Sequence, residues 1–266
     1  MKPIRVAIIG CCGRMGQTLI RLAAADPAFR ITAAVTVGDD PALGKDAGSV
    51  AGVDALGVPI TEHCTTPCDA AIEFTLPDGC RVWAGWCAEN AVALVSGTTG
   101  LQASELSALR TAAARIPVVW SPNMSVGVNL LLQLVTHAAG RLGETWDVEI
   151  CETHHKHKVD APSGTARALL EAVCEARRQD PRAAATSGRQ GSCGPRRPGE
   201  IGIHALRLGS SIGEHEVHFA GPGEILTLRH RAQSREIFAA GALRAARWAV
   251  SQPPGLYHMR DVLRAG

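Results

Sequence analysis

From residue 4 to about 122, short apolar runs alternate with stretches in which apolar residues recur every three or four positions. Ile4–Ile9 is apolar throughout apart from Arg5, and Gly10 then begins a turn. After Gly13, the residues Met15, Leu19, Leu22 and Ala23 stand at helical spacing. Ile31–Val37, rich in β-branched residues and alanine, reads as a buried parallel strand. Ala70–Phe74, Ala93–Val95 and Pro117–Trp120 read as further strands. Helices are predicted near 78–90, where Pro77 and Asp78 open the turn, and over 103–115. Strands alternating with helices predict a parallel sheet covered on both faces. This half is α/β.

Beyond Asn123 the pattern changes. Val126–Leu142 is a long helical stretch, Trp146–Thr153 a strand, and Ser163–Arg178 a helix with Leu169, Leu170 and Val173 on one side. Residues 179–200 are rich in Arg, Pro, Gly and Ser, lack periodicity and read as a long loop. Strands over 201–208, 212–220 and 224–230, joined by Gly-containing turns, are expected to pair antiparallel. Arg235–Val250 is an alanine-rich helix that ends before Pro253 and Pro254. A second, α+β domain accounts for this half.

Composition narrows the class. The chain has 266 residues, 46% hydrophobic and 20% charged, which suits a packed globular protein. A net charge of +2, with the basic residues spread along the chain, gives no footprint for nucleic acid. No apolar run reaches the roughly 18 residues of a membrane span. The apolar stretch near the N-terminus is too short for a signal peptide and is interrupted by Arg14, so a soluble cytoplasmic protein is expected. The nine cysteines are scattered, and only Cys64 and Cys68 approach a metal knuckle, without a second pair. Free thiols acting as small buried hydrophobes, and no metal site, are the expectation.

Three stretches carry candidate chemistry. Gly10-Cys11-Cys12-Gly13-Arg14-Met15-Gly16 follows the first strand and opens the first helix. Glycines there permit a tight turn and close backbone approach, and the helix start offers free N–H groups to a pyrophosphate. The spacing is G-x-x-G-x-x-G, with Cys12 where the usual fingerprint has its central glycine. An ordinary glycine-rich turn would look similar, but the αβ repeat around it favours a dinucleotide. Ser96-Gly97-Thr98-Thr99-Gly100 and Ser121-Pro122-Asn123-Met124 follow later strands, where open sheets place ligands.

The third stretch runs from Glu152 to Thr165. Three of the ten histidines and two of the four lysines fall within 154–158. Ser163-Gly164-Thr165 opens a helix, so its N–H groups make an anion seat beside this cationic cluster. A zinc site would need ligands at helical spacing or spread over elements, which the crowded strand end does not provide. A pocket for a small anionic substrate fits better, and imidazole and ammonium groups can also deliver a proton.

These motifs together resemble the 4-hydroxy-tetrahydrodipicolinate reductase (dihydrodipicolinate reductase) family. The likeness rests on G-x-x-G-R-M-G at 10–16, G-T-T-G at 97–100, N-x-S-V-G-V-N at 123–129 and E-x-H-H-x-x-K-x-D-A-P-S-G-T at 152–165. Gly213-Glu214-His215 and the terminal Met259–Leu263 stretch also fit, so the resemblance spans the chain in family order. It implies an α/β fold: a Rossmann-like dinucleotide-binding domain over 1–125 and 235–266, plus an α+β substrate domain over 126–234 with a mixed, largely open sheet. It implies hydride transfer from NADH or NADPH to the dehydrated form of 4-hydroxy-tetrahydrodipicolinate, a small dicarboxylate, in a cytoplasmic homotetramer of the diaminopimelate route to lysine. His154 would be the proton donor and Lys158 the second catalytic residue, with His155, Gly164 and Thr165 on the substrate carboxylates. Gly10, Cys11, Cys12, Gly13, Arg14 and Met15 would line the cofactor, with Gly97, Thr98, Thr99, Ser121, Pro122, Asn123 and Met124. A catalytically inactive NAD(P)-binding regulator on the same fold is the alternative.

The departure is Thr36, at the end of the second strand, where many members carry an acid. Thr36 can meet a ribose hydroxyl but lacks the carboxylate's preference for a free 2′-OH, and Val37 gives no base for a 2′-phosphate. The acids Asp39 and Asp40 come slightly later. The expectation from sequence is a weak preference, with NADH and NADPH differing by less than roughly 100-fold in kcat/KM.

Overall fold

The computed structural model describes residues 2–264. Along the chain stand β1 (Ile4–Ile9), α1 (Arg14–Ala25), β2 (Phe29–Val35), α2 (Ala47–Ala51), β3 (Ile60–Thr61), β4 (Ala70–Glu73), α3 (Pro77–Asn90), β5 (Ala93–Ser96), α4 (Ala103–Ala113) and β6 (Pro117–Trp120). Then follow α5 (Val126–Leu142), β7 (Asp147–His154), α6 (Gly164–Arg177), α7 (Pro181–Ala184), β8 (Ala185–Thr186), β9 (Ile201–Arg207), β10 (Glu214–Gly221) and β11 (Glu224–Arg231). The last elements are α8 (Glu236–Ala249), β12 (Gly255–Tyr257) and α9 (Met259–Arg264). The chain divides into two compact units, one running to Val126 and resuming at Glu236, the other Gly127–Arg235.

In the first unit a seven-stranded sheet runs β12-β6-β5-β4-β1-β2-β3, with every pairing parallel. Strand order therefore reverses beside β1, the switch point at which doubly wound sheets bind ligands. Both faces are covered. Leu19, Ile20 and Ala23 of α1 pack on one side with the alanines of α8, and Cys80, Ala84 and Cys87 of α3 pack on the other with Leu109 and Ala112 of α4. Small residues let α8 come close. A Cβ on Gly241 would lie 1.8 Å from the Met124 carbonyl oxygen, so this glycine is what seats the loop after β6 against α8.

The second unit holds a five-stranded mixed sheet in the order β11-β10-β7-β9-β8. One apolar layer joins Leu131, Val135 and Ala139 of α5 with Leu169 and Val173 of α6, over Val148, Ile150, Val217 and Phe219. The expected antiparallel run of three strands is only partly realised. β10 and β11 form an antiparallel hairpin, but β9 pairs in parallel with β7, which lies between β9 and β10. The reason is the crossover through α6, since a strand returning after a covering helix comes back parallel to the one it left. The segment 179–200, expected to be loop throughout, contains α7 and β8, and β8 adds a short parallel edge to β9. All nine cysteines are free thiols, six of them buried.

Candidate active site

The glycine-rich turn leaves β1 at Gly10, whose φ of +75° suits a residue without a side chain. A Cβ there would sit 2.8 Å from the Phe74 carbonyl oxygen, and one on Gly16 would sit 2.2 Å from that of Gly10. These two glycines let the turn fold back on β4 and let α1 start close beneath it. Gly13 is the N-cap of α1 without a side-chain cap, so the first N–H groups are left for a ligand. Cys12 faces the same space. Burial raises its thiol above the ordinary range, so it presents no charge to a pyrophosphate. Cys11 is fully buried in the core, with its Sγ 3.8 Å from that of Cys12 and its backbone N–H donating to the Val35 carbonyl.

A cavity of about 1060 Å³ opens along the carboxyl edge of this sheet. Gly10, Cys12, Gly13 and Thr36 are in its wall, together with Phe74, Thr75, Val82 and Trp83, which sequence reading did not select. Gly97 to Thr99 stand beside it: a Cβ on Gly97 would press 2.1 Å from the Phe74 ring. Behind them lies Glu73, fully buried, which accepts hydrogen bonds from Thr75 N at 2.6 Å, from the Thr75 hydroxyl, from Ser96 Oγ at 2.7 Å and from Thr98 Oγ1 at 2.6 Å. The carboxylate thus fixes both threonines at the sheet edge. Ser121 Oγ donates to the Asn123 carbonyl at 2.8 Å, and Asn123 Oδ1 accepts from Ser125 N at 2.9 Å, which holds the loop after β6. Met124 is in the core and Arg14 is exposed. The cradle left by Gly10 and Gly16 and the uncapped start of α1 fit a dinucleotide.

In the second unit, β7 ends at His154. Its Nδ1 lies 2.5 Å from Glu152 Oε2, and Glu152 is fully buried. The same carboxylate accepts from Ser163 N at 3.0 Å and from both terminal nitrogens of Arg207, at 3.0 and 3.1 Å. Burial would push Glu152 up, but Arg207, His154 and the Ser163 N–H outweigh it and hold the carboxyl below its usual range. Arg207 was not singled out from sequence. It ends β9, in register with His154 on β7, and it also donates to the Asp160 carbonyl at 2.6 Å.

Lys158 Nζ donates to Asp160 Oδ1 at 2.7 Å, so the ammonium faces the loop that leads into α6. Ser163 caps α6 by accepting from Ala166 N at 3.2 Å, and its Oγ also lies 3.2 Å from His215 Nε2. His215 is buried, packs edge-on against His154 with ring centres 5.2 Å apart, and is pushed down to about 4, chiefly by burial and then by His154. His155 is lowered as well, by burial and by the cations around it, and its Nδ1 is buried without a hydrogen-bond partner. A Cβ on Gly164 would meet no atom within 4 Å, and one on Gly213 would come 3.0 Å from His154 Nε2. These two glycines leave open the start of α6 and the outer nitrogen of His154. The structure therefore gathers His154, His155, Lys158, Gly164 and Thr165 around one loop and one helix start.

Family models agree with both halves. The N-terminal dihydrodipicolinate reductase model matches residues 4–124 and the C-terminal one residues 127–263. The chain is 47% identical over 262 residues to a 4-hydroxy-tetrahydrodipicolinate reductase of Anaeromyxobacter dehalogenans, covering 97% of each protein. It is 45% identical over 261 residues to that of Halorhodospira halophila, covering 97% of this chain and 98% of the other. Among solved structures, a dipicolinate-bound dihydrodipicolinate reductase from Paenisporosarcina sp. TG-14 superposes with a TM-score of 0.77 at 27% identity, covering 96% and 97% of the two chains. An amine dehydrogenase from Mycobacterium smegmatis shares the fold alone, at 13% identity and a TM-score of 0.66, over 97% and 95% of the chains. With the dinucleotide cradle and the His-His-Lys loop in place, the chain belongs to the 4-hydroxy-tetrahydrodipicolinate reductase family, NAD(P)H-dependent oxidoreductases of diaminopimelate and lysine biosynthesis.

Proposed function

We propose that His154 and Lys158 are the catalytic pair of this reductase, and that His155, Gly164 and Thr165 hold the carboxylates of the dehydrated 4-hydroxy-tetrahydrodipicolinate. The observation that carries the reading is the open start of α6, where Gly164 has no protein atom within 4 Å of a built Cβ, beside the His154–Lys158 loop. Backbone N–H groups there and the Lys158 ammonium make two separated anion seats, which fix a dicarboxylate ring in one orientation.

The reduced nicotinamide, when bound, supplies the hydride. As the conjugated imine of the substrate is reduced, electron density collects at the far end of the conjugation, and a cation placed there lowers the barrier. With Nδ1–H held on Glu152, the imidazolium form of His154 gives that atom its Nε2 proton and is left as the neutral Nδ1–H tautomer. Lys158 exchanges Asp160 for a substrate carboxylate. Gly10, Cys12, Gly13 and Thr36, with the turns at 97–99 and 121–124, form the cofactor side, Cys11, Arg14 and Met15 contributing through the backbone of the turn and the start of α1.

The test is oxidation of NADH and NADPH with freshly generated substrate: His154→Gln and Lys158→Met should each lower kcat by about 10²-fold or more. Retained turnover in both variants would remove the pair from the chemistry.

We further propose a homotetramer working in the cytoplasm. β11 is an eight-residue edge strand with Ile225 70% exposed and Leu226 41% exposed, an arrangement that a second copy of the chain would cover. Among the described residues no helix is long and apolar enough to cross a membrane. Light scattering of the wild type and of an Ile225→Asp variant tests the assembly, with dissociation of the variant as the expected result.

A further inference from the structure

Among the described residues, the wall of the cofactor cavity contains Asp40, Glu62 and Asp78 but no lysine or arginine. Two of these carboxylates belong to the end beside β2, where Rossmann-type sheets receive the adenosine ribose. Asp40 stands four residues past Thr36, yet the chain turns back so that Thr36 Oγ1 donates to Asp40 Oδ2 at 2.8 Å. Ala42 N donates to the other oxygen, Oδ1, also at 2.8 Å. Held by the Ala42 N–H first and the Thr36 hydroxyl second, the Asp40 carboxyl lies below its usual range and is fully ionised at neutral pH. Glu62 approaches from β3: its Oε1 lies 2.7 Å from where a Cβ on Gly38 would be, so the carboxylate rests on the backbone just past Thr36.

The cations nearby are few. Lys45 is exposed and acts on Asp40 through its charge alone, His63 is the one imidazole of the wall among the described residues, and Arg14 is not part of it.

We infer that Asp40, held by Thr36 and seconded by Glu62, selects NADH over NADPH by accepting the ribose 2′-hydroxyl and repelling a 2′-phosphate. The missing acid at position 36 is thus supplied from four residues downstream. A free ribose diol donates to a carboxylate in short charge-assisted hydrogen bonds. A 2′-phosphate brings only acceptor oxygens and nearly two further negative charges to a cavity wall that has two carboxylates at this end and, among the described residues, no guanidinium or ammonium. The inference rests on the cavity being the cofactor site.

Trp83 and Trp86 in the cavity wall give the test its reporter. Quenching of their fluorescence by NADH and by NADPH yields two dissociation constants without any turnover. The wild type should bind NADH at least about tenfold more tightly. Asp40→Asn keeps an oxygen for the Ala42 N–H but loses the charge, and it should narrow that ratio by about fivefold or more. Thr36→Val, which frees Asp40 without touching the Ala42 turn, should narrow it in the same direction, and it serves if Asp40→Asn does not fold. Equal binding of the two nucleotides by the wild type would overturn the inference, as would an unchanged ratio in the folded variants. Quenching by neither nucleotide would overturn the cavity reading itself, which separates the two failures.

Discussion

Glu152 Oε2 and His154 Nδ1 are 2.5 Å apart, two residues from one another on the same strand, with the carboxylate fully buried. Residues i and i+2 of a strand share a face, so β7 itself delivers the pair. The short contact commits Nδ1 as donor and leaves Nε2 as the nitrogen open to exchange. Arg207, reaching across from β9, neutralises the same carboxylate and ties it to the 158–160 loop through the Asp160 carbonyl. One buried charge therefore sets the ring of the proposed proton donor, the start of α6 and the lysine loop together.

Replacing Glu152 by Gln should separate these tasks. The amide can still accept from Ser163 N, but it cannot hold His154 and Arg207 as a charge does. We expect kcat to fall by about 10²-fold, with cofactor affinity unchanged, and urea stability to fall by about 1–3 kcal/mol. Arg207→Gln should reproduce part of the loss in kcat. A variant with full kcat and wild-type stability would remove Glu152 from the positioning of His154.

Acid should loosen the second unit before it protonates the carboxylates. His215 is held neutral down to about 4, chiefly by burial, against about 6.5 in the unfolded chain. Between those values the unfolded state binds the extra proton, so stability rises with pH through this window and is lost as pH falls from 6.5 towards 4. Going from pH 7 to pH 5 should cost about 2 kcal/mol from this group. His155 and His230, also lowered, add in the same direction. Glu200, depressed to about 2 by Arg189, contributes stability above about 4.5 that is lost only at lower pH. Urea melts of wild type and His215→Gln at pH 7 and 5 check this; equal pH dependence in the two proteins would refute it.

Much of this was legible because its signals are local. The G-x-x-G-x-x-G turn and the His-His-Lys loop each lie within about fifteen neighbouring residues, and each strand or helix of the αβ alternation shows its own short period, so spacing alone reveals them. Arg207 and Asp40 were not legible as site residues for the opposite reason. Arg207 meets Glu152 only because β9 registers beside β7, 55 residues on, and the sequence pattern paired β9 with the wrong neighbour. Asp40 was visible as a nearby acid, but its return to Thr36 depends on a turn closed by the Asp40 N–H on Val37 and the Leu43 N–H on Asp40, which no periodicity encodes. Glu73 was missed because a carboxylate in an apolar strand reads as exposed until its four donors are seen.

Gly164 offers a substitution that touches substrate without touching the fold. A Cβ there contacts no atom within 4 Å, so an added side chain starts into open space. The added atoms fill the space over the first N–H groups of α6, where the proposed carboxylate sits. We expect the KM for substrate to rise at least about tenfold in Gly164→Val, with NADH binding and melting temperature unchanged. An unchanged KM would remove the start of α6 from the substrate site.

Gly16 makes the opposite case, because there the glycine is needed by the protein. Its added Cβ would lie 2.2 Å from the Gly10 carbonyl oxygen and 2.6 Å from Cys11 Cα, both backbone atoms that no rotamer change can move. Gly16→Ala must therefore lift α1 away from the turn. Overpacking of this kind costs about 1–3 kcal/mol, and the shift withdraws the uncapped N–H groups of α1 from the pyrophosphate position. The expected result is a lower melting temperature together with about tenfold weaker binding of both NADH and NADPH, since the pyrophosphate is common to them. That uniform loss distinguishes the turn from Asp40, whose removal should change the ratio of the two affinities. If Gly16→Ala instead weakened one nucleotide alone, the turn would be reading the ribose and the assignment of the two ends of the cavity would have to be reversed.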